Sequence, residues 1–209
     1  MQIVAGTTNA AKITALRTLL APSAEVIASP IPGPPHVNES GGTIAEVAIL
    51  KANAWSKWLA TKDVQLPVIV TDGGLTIPAM LSWDPTRTRR LAGEGKTLVQ
   101  LAEALLERAS GLTDGERRIG WTEVAVIVQP DGRMVTYAAE SPPGVLATTV
   151  VAEDLAESDG FWVPAIWLCP EYGMKRLIDL TQEELAFRTD HWDRLGTALR
   201  RDLTTNLGD

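Results

Sequence analysis

A mixed-sheet α/β fold is what this 209-residue sequence predicts, on three observations. Short β-branched runs alternate with segments of helical period through the first half. A Pro-Asp-Gly turn between two further apolar runs then adds an antiparallel hairpin. Composition is that of a globular chain, 45% hydrophobic and 22% charged, with mean hydropathy +0.03, which excludes collagen-like, disordered and membrane-spanning classes.

Each element has its own local reason. Met1 to Ala5 reads as a short buried strand. Ala10 to Leu20 reads as a helix, with Ile13, Leu16, Leu19 and Leu20 on one face. The stretch Pro30 to Pro35 is too rich in proline for a helix or a central strand. Thr43 opens a long helix, because Thr43-Ile44-Ala45-Glu46 is a capping box and Ile44, Val47, Ala48, Trp55, Trp58 and Leu59 keep helical spacing. Leu66 to Thr71 is expected to be a strand that stops at the Asp72-Gly73-Gly74 turn. Thr97 to Ala109 is amphipathic and helical. Trp121 to Gln129 and Met134 to Glu140 flank Pro130-Asp131-Gly132-Arg133 as a hairpin, and Thr181 to Phe187 and Trp192 to Leu203 close the chain as helices.

Charge and cysteine content narrow the function. The formal net charge of −7 argues against a broad nucleic-acid surface, while leaving room for a small anion held by a few placed cations. The single cysteine, Cys169, makes no internal disulfide and no Cys-based zinc site, and with no leader or membrane segment in view the expected location is the cytoplasm. No window approaches the ~20 apolar residues that a membrane helix needs.

Four places carry chemistry. Gly6-Thr7-Thr8-Asn9-Ala10-Ala11-Lys12 joins a strand to a helix N-terminus, where unpaired backbone N–H groups and the helix dipole favour an anion; alternatively Thr8 or Asn9 only caps the helix and Lys12 is solvated. Lys51 falls in the middle of the apolar stripe of the Thr43 helix, with all six apolar positions within roughly 60° of Ile44 at 100° per residue. Either it snorkels to an edge or it meets an anion or a carboxylate. Asp72 stands at the carboxyl end of a buried strand, where open α/β sheets bind ligands, although Asp-Gly is also an ordinary turn. Glu39 precedes Ser40-Gly41-Gly42, and with Asp72 it would suit Mg²⁺, which takes one or two carboxylates plus substrate oxygens.

Other chemistries are excluded. Gly95-Lys96-Thr97 is no P-loop, since Arg90 stands where the motif needs glycine. His36 and His191 lack partners at zinc-ligand spacing, and no G-x-S-x-G elbow is present.

In order and spacing, Thr7-Thr8-Asn9-x-x-Lys12, Glu39-Ser40-Gly41-x-Thr43-x-x-Glu46 leading to Lys51-Ala52, and Thr71-Asp72-Gly73-Gly74-Leu75 resemble the inosine triphosphate pyrophosphatase family. That family's patterns are T-G-N-x-x-K, E-T-G-x-T-F-x-E-N-A-x-x-K-A and D-D-S-G-L. Ala92-Gly93-Glu94, Gly160-Phe161, Tyr172-Gly173 and Lys175 to Leu180 extend the likeness, which runs from Ile3 to about Leu199. The resemblance implies an elongated mixed sheet with flanking helices, in two lobes of one 1–209 domain with a central active-site cleft, and a homodimer. It implies Mg²⁺-dependent cleavage of a nucleoside triphosphate, of the ITP and XTP kind, to monophosphate and pyrophosphate. Thr7, Thr8, Asn9, Lys12, Gly73 and Lys175 would then bind substrate, the last if one residue is inserted before it. Lys51 and Asp72 would be catalytic, and Glu39 and Asp72 would hold the metal.

The departures fall mainly in the base-reading half. Thr71 and Gly73 replace the first acid and the serine of D-D-S-G. Phe161-Trp162-Val163-Pro164-Ala165 stands for F-G-Y-D-P, so Pro164 occupies the place of a base-reading aspartate. The S-H-R before G-x-A-L is missing: Arg194 and Leu195 precede Gly196-Thr197-Ala198-Leu199, with His191 and Asp193 nearby as substitutes. A rewritten base pocket changes specificity more than chemistry, and Trp162 or Trp167 is a candidate to stack on a base, although most of the seven tryptophans are expected in the core. The alternatives are a non-catalytic nucleotide-binding homologue, or a pyrophosphatase of a pyrimidine or biosynthetic-intermediate nucleotide.

Overall fold

A computed structural model of the chain describes residues 1–37, 42–91, 95–156 and 161–205, without the side chains of 154, 156, 204 and 205. Among the described residues the strands are β1 (Gln2–Ala5), β2 (Glu25–Ile27), β3 (Val68–Thr76), β4 (Arg118–Val128), β5 (Met134–Glu140), β6 (Gly144–Leu146), β7 (Trp167–Cys169) and β8 (Lys175–Arg176). The helices are α1 (Ala10–Leu20), α2 (Ile44–Ala60), α3 (Leu98–Arg108), α4 (Ala152–Ala156), α5 (Gln182–Phe187) and α6 (His191–Thr205), with short 3-10 turns between. Strand order in the sheet is β2-β1-β3-β4-β6-β7-β8, with β5 also on β4. The expected mixed α/β sheet with flanking helices is therefore the fold.

The chain divides into two compact units. The first comprises Met1–Gly73, Thr122–Glu140 and Asp190–Asp209. Here β1 pairs in parallel with β2 (Ile3 opposite Val26) and with β3 (Val4 opposite Val68), and β4 and β5 form an antiparallel hairpin with Val126 opposite Thr136. Side chains alternate along these strands. Ile3, Ala5, Ile69, Ala125 and Ile127 pack with Leu16 and Leu20 of α1 and Leu195 and Leu199 of α6. Val4, Val68, Val70, Val124, Val126 and Val128 pack with Ile44, Ala48, Trp55 and Leu59 of α2. This period of two sets α1 and α6 against one face and α2 against the other. Strand order reverses between β1 and β3, because α1 leads to one side of β1 and α2 to the other. The crevice at the carboxyl ends of such a strand pair is the usual ligand position in open α/β sheets.

The second unit comprises Gly74–Trp121 and Ser141–Thr189. Its core gathers Leu75, Leu101, Leu105, Ile119, Trp162, Ile166 and Trp167. Arg117, buried there, gives its guanidinium protons to the carbonyls of Ala109, Leu146 and Ala147, so its charge is met by backbone oxygens rather than by an acid.

One expectation fails locally. The strand through Thr71 does not stop at Asp72-Gly73-Gly74 but runs on to Thr76. Neither glycine takes a positive φ, so both stay extended, and the adjacent β4 supplies the ladder partners that a turn would forgo.

Candidate functional site

The loop after β1 begins with an enforced glycine. A Cβ at Gly6 would collide with Val70 and press on Val68 and Trp55, and the Gly6 N–H donates to the Ile69 carbonyl at 2.7 Å. The chain thus leaves the sheet tightly beside β3. The Thr7 hydroxyl then accepts from the Asn9 N–H at 3.1 Å. Asn9 is the N-cap of α1, its side-chain oxygen accepting from Ala11 N–H at 3.0 Å and Lys12 N–H at 3.3 Å. Thr8 is exposed. Of the two readings of this loop, capping by Asn9 is real, and Lys12 is not a solvated surface lysine.

Lys12 reaches back over β3 and β4. Its Nζ donates to the Thr71 carbonyl at 3.2 Å and to Glu123 Oε1 at 3.3 Å, and the Glu123 side chain is only 2% exposed. On α2 the question about Lys51 is answered as well. It meets a carboxylate, Nζ lying 3.2 Å from Asp72 Oδ1, with the two side chains 19% and 15% exposed. The Thr43 capping box is complete, since Thr43 accepts from the Glu46 N–H and Glu46 accepts from Gly42 and Thr43 N–H, so the start of α2 is fixed.

Burial pushes the Asp72 carboxyl above its ordinary value of 3.8; the Lys51 and Lys12 ammoniums pull the other way, and the Glu123 charge adds to the rise. Asp72 is thus a desolvated carboxylate flanked by two cations. Such a group is a stronger base than an exposed one and sits among charges that suit a polyanion.

Within the first unit the structure therefore brings together the Thr7–Asn9 loop, Lys12, Lys51, Asp72 and the adjoining Gly73. Glu123 was not among the sequence candidates. Its signal was present, as the one acid opening the apolar run Val124 to Val128, at an inward-facing position of the alternation. Glu39 lies outside the described residues, as do Ala92-Gly93-Glu94 and Gly160. His191 opens α6 half-buried, its ring 5.7 Å from that of Trp192, and Arg194 is committed to the Glu140 carbonyl at 3.1 Å.

The remaining candidates belong to the second unit. Phe161 is 43% exposed and stands edge-on to Trp121 at 5.1 Å. Trp162 and Trp167 are core residues, each 2% exposed, so neither offers a ring face to a base; Phe161 is the exposed aromatic of that segment. Trp167 is covered by Gly144 on one side, where any Cβ would overlap the indole. Lys175 is held by both carboxylate oxygens of Glu184 at 2.7 and 3.0 Å.

Among the described residues no three His, Cys, Asp or Glu side chains gather to hold a metal ion unaided. Asp72 supplies a carboxylate donor in the same unit as the Thr7–Asn9 loop, compatible with Mg²⁺, which draws most of its ligands from substrate and water.

Comparison with known proteins identifies the family. The profile of the Ham1 family matches residues 3–184. A dITP/XTP pyrophosphatase of Geobacillus kaustophilus is 30% identical over 185 residues, covering 88% of this chain and 85% of that protein. The dITP/XTP pyrophosphatase of Erwinia tasmaniensis is 30% identical over 187 residues, with 88% and 85% covered. The solved structure of the Staphylococcus aureus Ham1 protein superposes with a TM-score of 0.77 at 26% identity, covering 97% of this chain and all of the other. With a family match over most of its length and relatives of this similarity, the chain belongs to the Ham1 family.

Proposed function

We propose that this protein hydrolyses a nucleoside triphosphate, a deaminated or otherwise modified purine nucleotide, to the monophosphate and pyrophosphate. The observation that carries the reading is the arrangement where β1 ends beside β3, in which Lys12 and Lys51 flank the desolvated Asp72 beside the capped Thr7–Asn9 loop.

Each group has a part. Backbone N–H groups at the start of α1 and the Thr7 and Thr8 hydroxyls cradle phosphate oxygens. Lys12 and Lys51 neutralise charge as it gathers on the leaving pyrophosphate. Asp72 takes a proton from the attacking water, whose oxygen bonds to the α-phosphorus as the bond to the bridging oxygen of the pyrophosphate breaks. Mg²⁺ held by Asp72 and Glu39 would supply neutralisation of phosphate oxygens and in-line orientation. Gly73, having no side chain, lets substrate approach the β3 backbone.

The base preference is altered, on the grounds that Pro164 has no group to read a base edge and that Phe161, His191 and Arg194 are the polar or exposed groups left near the rewritten motifs. The chain acts as a homodimer, as the family resemblance implies, in the reducing compartment that a single cysteine suits. Light scattering of the purified protein checks the dimer.

The test is a panel of nucleoside triphosphates, deoxynucleoside triphosphates and base-modified analogues with Mg²⁺, assayed for pyrophosphate. Release from at least one triphosphate, abolished by EDTA and by Asp72→Asn, is the expected result. Triphosphate binding without release from any member would instead identify a non-catalytic homologue, and a preference for pyrimidines would move the substrate class.

A further inference from the structure

Glu123 is the residue that the fold alone does not explain. It sits on β4 at the head of the apolar run Val124 to Val128, and its side chain is 2% exposed. Burying a carboxylate is costly, and a pair of apolar residues would fill the same place more stably than a buried ion pair. Its partner is Lys12, whose first-turn position on α1 is otherwise disfavoured by the helix dipole.

Alternation along the strands says which side of the sheet the pair occupies. Ala125 and Ile127 of β4 and Ile69 of β3 share the face covered by α1 and α6, so Glu123 and Thr71, each two residues along, continue that face. Asp72 and Lys51 follow Val68 and Val70 on the α2 side. Thr71 is 6% exposed, and its hydroxyl is buried with no hydrogen-bond partner. Where the related sequence pattern has an acid, this chain therefore has an unsatisfied hydroxyl. The carboxylate on that face comes from the next strand.

We propose that Glu123 is a positioning residue of the reaction: from β4 it holds the Lys12 ammonium over the Thr71 carbonyl, in the place that a carboxylate at position 71 would otherwise hold it. Two of the three ammonium protons are engaged by Glu123 and Thr71, which leaves the third to donate to a phosphate oxygen of the substrate. This rests on the triphosphatase reading above. It adds the claim that the acid has moved one strand across rather than been lost.

Simple electrostatics and positioning predict different outcomes, which makes the idea testable. Removing a negative charge near an anion site should tighten anion binding. Removing a positioning group should slow turnover even so. The variants are Glu123→Gln, Thr71→Asp and the double variant, with Glu123→Met as an uncharged filler of similar volume should Gln unfold the strand. Steady-state kinetics are measured on the best triphosphate of the panel, and inorganic tripolyphosphate binding is measured by calorimetry.

Glu123→Gln is expected to lower kcat by about tenfold or more with no rise in KM. Thr71→Asp with Glu123→Gln together should recover most of that loss, since the carboxylate returns to the same face beside Lys12. Turnover by Glu123→Gln within about threefold of the parent, or a double variant no faster than Glu123→Gln, overturns the proposal. Should the parent release no pyrophosphate at all, the triphosphatase reading falls first. Tripolyphosphate binding then decides separately: the effects of Glu123→Gln and Lys12→Ala should be non-additive, and additive effects of the two would refute the coupling.

Discussion

Asp72 is pressed from two directions, and the balance fixes what pH should do. Burial raises its pKa more than Lys51 and Lys12 lower it, so the folded protein holds the protonated form better than the unfolded chain does. Stability contributed by this group is therefore full below the ordinary value near 3.8 and is lost as pH rises through the folded pKa. Two consequences differ in sign. Asp72→Asn should melt higher than the parent at neutral pH, with the gap closing as pH falls into the carboxylate range, read by calorimetry across pH. The same variant should lose about a hundredfold or more in pyrophosphate release, because it has no base to offer. Catalysis needs the charged form, so kcat/KM should rise as pH climbs past the raised pKa. Lys51→Met removes the largest of the opposing attractions, and its acidic limb should shift to higher pH than the parent's. An unmoved limb would mean that Asp72 is not the titrating group.

Helices and strands of the first unit exist to set the distances among those residues, and their beginnings matter more than their middles. Thr43 caps the helix that carries Lys51, with Glu46 closing the box. Thr43→Ala should cost about 1 kcal/mol in a urea titration and leave the Lys51–Asp72 chemistry in place once folded. Gly6→Ala is the harsher change, since its Cβ meets Val70, Val68 and Trp55 within the well-packed α2 face. Overpacking of that kind costs about 1–3 kcal/mol, and here it should also raise KM, because the Thr7–Asn9 loop departs from that residue. Legibility in the sequence followed the same division. The bounds of α1 and the capping box of α2 could be read directly, since capping and helical period are local. The short strands β6, β7 and β8 could not, because three residues or fewer carry no period and exist only through their partners. Continuation of β3 through Gly73 and Gly74 was hidden for the same reason: its stabilising ladder comes from elsewhere in the chain. Lys12, Lys51 and Asp72 were legible as anomalies of pattern or place. Glu123 was legible only once β4 had a face.

At the scale of the whole chain, the first unit is assembled from three separate segments, and the last of them begins at Asp190. The contacts that make the site span long stretches, 111 residues from Lys12 to Glu123 and 59 from Lys12 to the Thr71 carbonyl. Such non-local closure slows folding and makes each segment dependent on the others. The final helix is the clearest case. α6 packs on β5 and on α1, with Leu195, Leu199 and Leu203 buried against Leu16, Leu19 and Leu20. Gly196 sits so close to Leu19 that a Cβ there would displace it, and the Arg200 guanidinium donates to the Leu19 carbonyl. A chain ended at Thr189 would bare this apolar face on α1, the helix whose first turn carries Lys12. The expected outcome is loss of the cooperative melt, dye binding typical of exposed apolar surface, and no pyrophosphate release, although every proposed catalytic residue remains in the sequence. Single truncations should grade the effect: Leu199→Ala, at a fully buried position, should cost about 2–5 kcal/mol. A chain lacking α6 that still melted sharply and turned over would show that the α1 face is closed by something other than the C-terminal segment.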